Sequence, residues 1–288
     1  MVQSSLMQKL PSNTLGRDFV IGDLHGCFDL LERLMKAVDF NFDKDRLFSV
    51  GDLVDRGPYS LSCLQLIEQQ WFYAVKGNHE AMMLDYFGTY QRTGYIAPEF
   101  DESDEFGYIE YGGGWVEKYY QIGSATMSKD FERGLVLAAS LPLLIVVGEN
   151  EQRFHIVHSE LLRPDFWSKK IQVWLDNDID QWLYTQSIPE NTKDRFYWGR
   201  TIMQGHLDQT PRVQAGLSST FCGHTIDKNI RQKLSHVCLD TGAYLSYKKS
   251  VYSLTIYNIQ AKRWVSASYC HGHLAYGDMA MGDCCSNK

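Results

Sequence analysis

Asp23 and His25 stand two apart in Gly22-Asp23-Leu24-His25-Gly26. Asp52, Asp55 and Arg56 share Gly51-Asp52-Leu53-Val54-Asp55-Arg56-Gly57, and Asn78 and His79 share Gly77-Asn78-His79-Glu80. Further along, His158 closes Phe154-His155-Ile156-Val157-His158, and His224 follows Phe221-Cys222-Gly223. Carboxylate, amide and imidazole donors without a thiolate suit Mn2+, Fe or Zn2+ and disfavour a structural thiolate zinc. The expected division is one site of Asp23, His25 and Asp52 and a second of Asp52, Asn78, His158 and His224, with Asp52 shared. Two divalent ions about 3.5–4 Å apart lower the pKa of a bridging water and clamp a phosphoryl oxygen, the logic of two-metal hydrolysis. Such a pair brings four positive charges; Asp23, Asp52 and a hydroxide remove three, and the remaining charge of about one attracts a phosphate dianion.

The neighbours then acquire roles. His79 belongs to neither ligand set and is the candidate general acid, with Asp55 placed to hold its imidazole and keep it protonated. Arg56 and Arg200 are candidates to bind phosphate oxygens through their planar forks. A lone Asp or His at a strand end is usually a cap or a satisfied surface group, and an ordinary salt bridge competes for Arg56. Five loops that each carry a metal-compatible residue are not explained that way. His155 has the opposite strand parity to His158 and is expected on the packed side; His206 and His236 lack company, and His271-Gly272-His273 falls in the tail.

Strands must carry these loops. Phe19-Val20-Ile21, Leu47-Phe48-Ser49-Val50 and Trp71-Phe72-Tyr73-Ala74-Val75 precede the first three, and helix-like stretches follow. Phe28, Leu31, Leu34, Met35 and Val38 recur at helical spacing after the first loop, and Leu61, Leu64, Leu66 and Ile67 after the second. Strand, loop and helix repeated over 18–80 predict adjacent parallel strands, whose C-terminal ends are where open α/β sheets place their chemistry. Residues 81–140 read as mostly helical. An acidic stretch from Glu99 to Glu110, with Asp101, Glu102, Asp104 and Glu105, interrupts them as a solvated loop or, more sharply read, a negative wall beside a substrate groove. Gly112-Gly113-Gly114-Trp115 opens another helix-like run.

Leu143 to Val147 and Arg153 to Val157 read as strands, and residues 161–217 as irregular with one amphipathic helix around Ile171 to Tyr184. Further strands are expected at Thr220 to Cys222, His236 to Leu239, Val251 to Asn258 and Arg263 to Ser268. The expected organisation is a polar lead-in over 1–17, a catalytic domain over 18–268 and a poorly ordered tail over 269–288.

Composition bounds the function. A chain of 288 residues, 44% hydrophobic and 22% charged, buries a full core as a globular protein of one large domain or two small ones. A net charge of −7 argues against broad binding to nucleic acid or anionic membranes. No apolar stretch reaches the roughly 18–20 residues of a membrane span, and Leu141 to Val147, broken by Pro142, reads as a buried strand. The first 15 residues lack the apolar core of a signal peptide, so cytoplasmic residence is expected. Seven scattered cysteines predict free thiols in a reducing compartment, with Cys284-Cys285 in the tail.

Taken together, GDLHG, GDLVDRG, GNHE, Val157-His158-Ser159 and Gly223-His224-Thr225 resemble the phosphoprotein phosphatase family of calcineurin-like metallophosphoesterases, in its bacterial and bacteriophage serine/threonine branch. Gly112-Gly113-Gly114-Trp115 and Leu239-Asp240-Thr241-Gly242-Ala243 are similar to that branch as well, and the resemblance covers roughly residues 18–260. It implies an α/β fold, the four-layer αββα sandwich, with a dinuclear site at the strand ends, usually supported by manganese. It implies the ligands proposed above, His79 with Asp55 as acid and orienting partner, and Arg56 and Arg200 on phosphate; Asp240 is given only a strand-end or supporting role. The implied reaction is metal-dependent hydrolysis of phosphoserine and phosphothreonine by direct attack of a bridging water, with phosphorylated proteins or peptides as partners and small phosphomonoesters as further substrates.

The same-family alternative is symmetrical diadenosine tetraphosphate hydrolysis. That branch lacks the acid corresponding to Asp55 and carries Asp where this chain has Glu80. Nucleases and cyclic-nucleotide phosphodiesterases of the wider superfamily carry Gly-His-x-His, and here Ile226 fills the last place. An inactive phosphate-binding regulator would lack a ligand or the acid pair, and neither is missing. Val-His-Ala is common in the family where this chain has Ser159, and residues 83–140 and 160–217 fit loosely, leaving substrate choice open.

Overall fold

The computed structural model describes residues 5–94, 107–163, 171–205 and 210–279. The chain runs β1 (Met7–Leu10), β2 (Asp18–Ile21), α1 (Phe28–Ala37), β3 (Arg46–Ser49), α2 (Ser60–Gln65), β4 (Phe72–Ala74), α3 (Asn78–Tyr86), α4 (Gly88–Thr93) and α5 (Lys129–Ser140). It continues through β5 (Leu144–Val147), β6 (Phe154–Val157), β7 (Leu162–Arg163), β8 (Gln172–Val173), α6 (Asp176–Thr185), α7 (Glu190–Trp198) and α8 (Thr201–Gln204). The last strands are β9 (Ser219–Cys222), β10 (Arg231–Lys233), β11 (His236–Cys238), β12 (Leu254–Asn258), β13 (Arg263–Ala267) and β14 (Leu274–Asp278).

Among the described residues two six-stranded sheets form, ordered β1-β5-β6-β9-β11-β10 and β14-β13-β12-β2-β3-β4. β2, β3 and β4 pair in parallel, as the repeated strand-loop-helix pattern requires. β6, β9 and β11 are likewise parallel. Alternate side chains of each strand face opposite ways, and this parity separates the apolar residues into three interfaces. Val20, Phe48 and Tyr257 meet Ile145, Ile156, Phe221 and Val237 between the sheets. Phe19, Ile21 and Ile256 pack outward against Leu31 and Leu34 of α1 and Phe131 of α5. Val146 and Val157 pack outward against Ile179 of α6 and Phe196 of α7. Three apolar interfaces make four layers, the αββα sandwich expected from the sequence.

Several elements differ from expectation. The segment expected as a polar lead-in supplies β1, an edge strand held in parallel by β5, with Met7 buried. Ile171 does not start a helix: Gln172–Val173 pairs with Leu162–Arg163, and α6 begins at Asp176, where Asp178 accepts the Leu175 N–H at 2.9 Å. α7 and α8 lie in the stretch expected to be irregular. Part of the expected unstructured tail forms β14, laddered to β13 and tied by Arg263 to Asp278 at 2.7 Å. Asp101, Glu102, Asp104, Glu105, His206, Cys284 and Cys285 lie outside the described residues.

Candidate metal centre

Every expected ligand follows the C-terminal end of a strand: Asp23 and His25 after β2, Asp52 after β3, Asn78 after β4, His158 after β6 and His224 after β9. All six are buried. The loops reverse tightly, so His25, Asp52, Asp55, Arg56 and His224 all adopt positive φ, between 42° and 72°. Such left-handed backbone costs roughly 1–3 kcal/mol per non-glycine residue and persists where the surroundings over-determine it. Part of the surroundings is close backbone approach. A side chain at Gly77 would fall 2.1 Å from Asp52 Oδ1, and one at Gly223 would strike the Asp23 carboxylate.

Asn78, His79 and Glu80 open α3, and successive helical residues point about 100° apart. Each therefore serves a different part of the site. Asn78 Oδ1 lies 2.9 Å from both His158 Nε2 and His224 Nδ1. His79 Nδ1 lies 2.6 Å from Asp55 Oδ2. Glu80 gathers the second loop: Oε1 accepts the Leu53 and Val54 N–H groups at 2.7 and 3.3 Å, and Oε2 those of Asp52 and Gly77 at 3.0 and 2.8 Å.

Asp52 stands between two groups of imidazoles. Its Oδ1 is 3.5 Å from His158 Nε2, and its Oδ2 is 3.7 Å from His25 Nε2 and 4.0 Å from His79 Nε2. These gaps exceed a hydrogen bond, yet ligand atoms of His25, Asp52 and His79, and of Asp52, His158 and His224, fall within 4.8 Å of one another. Asp23 is outside both triplets; its carboxylate accepts the His224 backbone N–H at 3.0 and 3.3 Å. The close set around His25 thus contains His79 where the sequence suggested Asp23.

Burial holds the His25, His158 and His224 pKa values below the ordinary imidazole value. Burial alone would raise Asp52, but the surrounding imidazoles outweigh it and hold that carboxyl well below its usual range. Asp23 is pushed well up by burial and then by the charges of Asp240 and Asp52. Asp240 rises to about 6, also through burial first. His224 Nε2 and Asp240 Oδ2 are buried without a hydrogen-bond partner among the described residues. Buried imidazoles, crowded buried carboxylates and orphaned polar atoms form a donor set that divalent cations would satisfy. The residues present fit such ions.

At His79, burial lowers the pKa, but the charge of Asp52 and the bond to Asp55 prevail and leave it raised. Arg56 lies at the rim, its Nη1 donating to His25 Nε2 at 2.7 Å and its guanidinium 4.6 Å over the Tyr244 ring. Arg200 donates to the His224 carbonyl at 2.9 Å. The segment bearing Arg200 is tied to the loop after β6: Ser159 Oγ donates to the Gly199 carbonyl, and Glu160 accepts the Ile202 N–H at 2.8 Å. All ten expected residues are thus gathered at one end of the sandwich. His155 faces the helix layer, bonded by Arg153 at 2.9 Å, and His236 accepts the Leu161 N–H at 3.0 Å. Sequence reasoning missed Glu80 as loop organiser, Tyr108 and Trp115 on Asp55, and Ser159 on Gly199; the Gly-rich run ending at Trp115 was the available signal.

The family model of calcineurin-like phosphoesterases matches residues 19–228, which include all ten of these positions. The chain belongs to the calcineurin-like phosphoesterases. Among relatives of this phosphoesterase, serine/threonine-protein phosphatase 1 of Salmonella typhimurium is 29% identical over 210 residues, covering 70% of this chain and 87% of that one. Serine/threonine-protein phosphatase 2 of Escherichia coli is 27% identical over 251 residues, covering 87% and 99%. A symmetrical bis(5'-nucleosyl)-tetraphosphatase of Haemophilus influenzae is 32% identical over 169 residues, covering 54% and 60%. In fold, the phosphoesterase is similar to the solved structure of a putative diadenosine tetraphosphatase, at 18% identity and a TM-score of 0.52 over 95% of this chain and 97% of that one. Among its described residues no helix is long and apolar enough to cross a membrane.

Proposed function

We propose that this phosphoesterase is a metal-dependent protein phosphatase of the phosphoprotein phosphatase branch, hydrolysing phosphoserine and phosphothreonine and also small phosphomonoesters. The observation that carries the reading is the buried His79–Asp55 pair at 2.6 Å, an acid and its holder in hydrogen-bond contact. Asp55 and Glu80 are the two positions at which the tetraphosphatase branch differs, and both favour the phosphatase. Two serine/threonine phosphatases among the relatives support it over most of the chain.

Asp23, His25 and Asp52 are proposed to hold one cation and Asp52, Asn78, His158 and His224 another, with Mn2+ the metal. When bound, such a pair supplies positive charge for the phosphoryl oxygens and a readily ionised water. Arg56 and Arg200 bind and orient the phosphate by charge-assisted hydrogen bonds. His79 Nε2 gives its proton to the departing alkoxide as water oxygen bonds to phosphorus and the ester P–O bond breaks, while Nδ1 keeps its own proton, donated in a hydrogen bond to the Asp55 carboxylate. The thiols of Cys27, Cys63, Cys222 and Cys238 are buried and free, which supports a reducing cytoplasm.

The second reading is symmetrical dinucleoside tetraphosphatase, favoured by the 32% identity over 169 residues to such an enzyme. A side-by-side assay with Mn2+ of a phosphoserine peptide, p-nitrophenyl phosphate and diadenosine tetraphosphate separates them. The proposal expects turnover of the peptide and the aryl ester; turnover of the dinucleotide alone refutes it.

A further inference from the structure

The acid pair has a support that the proposed reaction does not itself name. Asp55 is fully buried and meets three donors. Its Oδ2 faces His79 Nδ1, while Oδ1 takes the Tyr108 hydroxyl at 2.9 Å and the Trp115 indole N–H at 2.6 Å. We propose that Tyr108 and Trp115 are positioning residues that fix Asp55, and through it set which nitrogen of His79 faces the leaving group. The inference rests on the reading of His79 as general acid.

The proton count gives the reason. An indole N–H only donates, so Oδ1 carries no proton where Trp115 meets it. Burial and then the neighbouring Asp55 charge push the Tyr108 hydroxyl well above its ordinary pKa, so it too stays protonated and donates. Both lone-pair directions of Oδ1 are thereby occupied, and Oδ2 is left to the imidazole. His79 Nδ1 then donates to Oδ2, and Nε2 is the nitrogen left on the site side, 4.0 Å from Asp52 Oδ2. Without the two donors the carboxylate could turn, protonate on either oxygen, or release the ring.

The clamp is anchored on both sides. The Trp115 ring meets Phe131 of α5 edge-on at 5.5 Å, and the Tyr108 ring lies 5.2 Å from Tyr86 of α3, the helix that begins with Asn78 and His79. Within the same segment the Gly112 carbonyl accepts the Arg56 N–H at 3.1 Å. One stretch, 108–115, therefore holds the side chain of Asp55 and the backbone of its neighbour.

An ester with a poor leaving group needs the acid, whereas one with an excellent leaving group does not. Trp115→Phe and Tyr108→Phe, in the full chain with Mn2+, are tested on phenyl phosphate and on 2,4-dinitrophenyl phosphate. Each variant is expected to lose about tenfold in kcat on phenyl phosphate, a part of the 10²–10⁴-fold of general acid catalysis. On the dinitrophenyl ester kcat should stay within about twofold and KM should not move. In proton NMR of the protein loaded with diamagnetic Zn2+ in place of Mn2+, the downfield His79 Nδ1 resonance should be sharp in the parent and broadened or lost in Trp115→Phe, a readout that needs no turnover. Tyr108→Phe removes a single oxygen and guards against simple misfolding. Equal losses on both esters, no loss on either, or an unmoved Nδ1 resonance overturns the inference. If His79→Asn itself shows no leaving-group dependence, the acid reading fails instead. If the parent rejects the phosphopeptide but cleaves the aryl esters, only the substrate reading fails.

Discussion

Glu80→Gln swaps one oxygen for an NH2 group and tests what holds the second loop in its strained form. Glu80 is fully buried, and each of its carboxylate oxygens accepts two backbone N–H groups. Whichever oxygen the amide nitrogen replaces, two N–H donors then face a donor. Two buried N–H groups left unpaired cost about 1–3 kcal/mol each, so the variant should lose about 2–6 kcal/mol. With an m value of about 3 kcal/mol per molar urea, the unfolding midpoint falls by about 0.7–2 M. Burial, and then the charge of Asp52, push Glu80 up to about 7, so the melts belong well above that pH, where the parent carboxylate is ionised. Asp52 is among the residues released, so Mn2+ retention through a desalting column should fall in parallel. A midpoint within about 0.2 M of the parent, with unchanged Mn2+ content, refutes the account of this loop.

Three other outcomes follow from the same geometry. His79→Asn should lower kcat on a poor leaving group by about 10²–10⁴-fold while the metal content is unchanged; near-normal turnover removes His79 from the acid role. Ser159→Ala removes the bond to the Gly199 carbonyl beside Arg200, a loss of about 0.5–1.5 kcal/mol that should raise KM for phosphomonoesters about 2–12-fold with little change in kcat. An unmoved KM rejects that link. Asp45 lies far from the site and accepts the Arg17 and Asn41 N–H groups at 2.7 and 2.9 Å. Burial there is outweighed by these bonds and the Arg17 charge, so the Asp45 pKa is lowered from 3.8. A depressed carboxylate stabilises the fold above its unfolded pKa and loses that contribution as the pH falls through the folded one. Asp45→Asn should therefore be less stable than the parent at neutral pH, by about 1–3 kcal/mol, and urea melts should show the gap closing below 3.8; a gap that persists in acid contradicts the assignment.

The sequence carried the ligand-bearing loops because their signal is local. Val20, Phe48 and the apolar run before Gly77 mark strands, and metal-compatible residues recurring after them in five loops are not explained as caps or surface groups. The elements it did not reveal are held by partners distant in the chain. β1 is four residues with one buried apolar side chain, stabilised by its ladder to β5 some 137 positions away (Met7 to Leu144). β14 likewise depends on β13, since its own sequence, Leu-Ala-Tyr-Gly-Asp, has little strand pattern. At the site, Asp55 was legible from its motif, but Tyr108 and Trp115 were not, because their spacing from it, 53 and 60 residues, follows no local period. Glu80 is a similar case: its position next to His79 is plain in the sequence, while its four backbone bonds exist only once two loops have met.

The central claim is that Asp52 is shared by two cations gathered from five loops. Anomalous diffraction at the manganese edge, from crystals grown with excess Mn2+, tests it directly. The account predicts two peaks flanking the Asp52 carboxylate, one on the side of His25 and one on the side of His158 and His224. A single peak, or two peaks beyond coordination distance of Asp52, contradicts it.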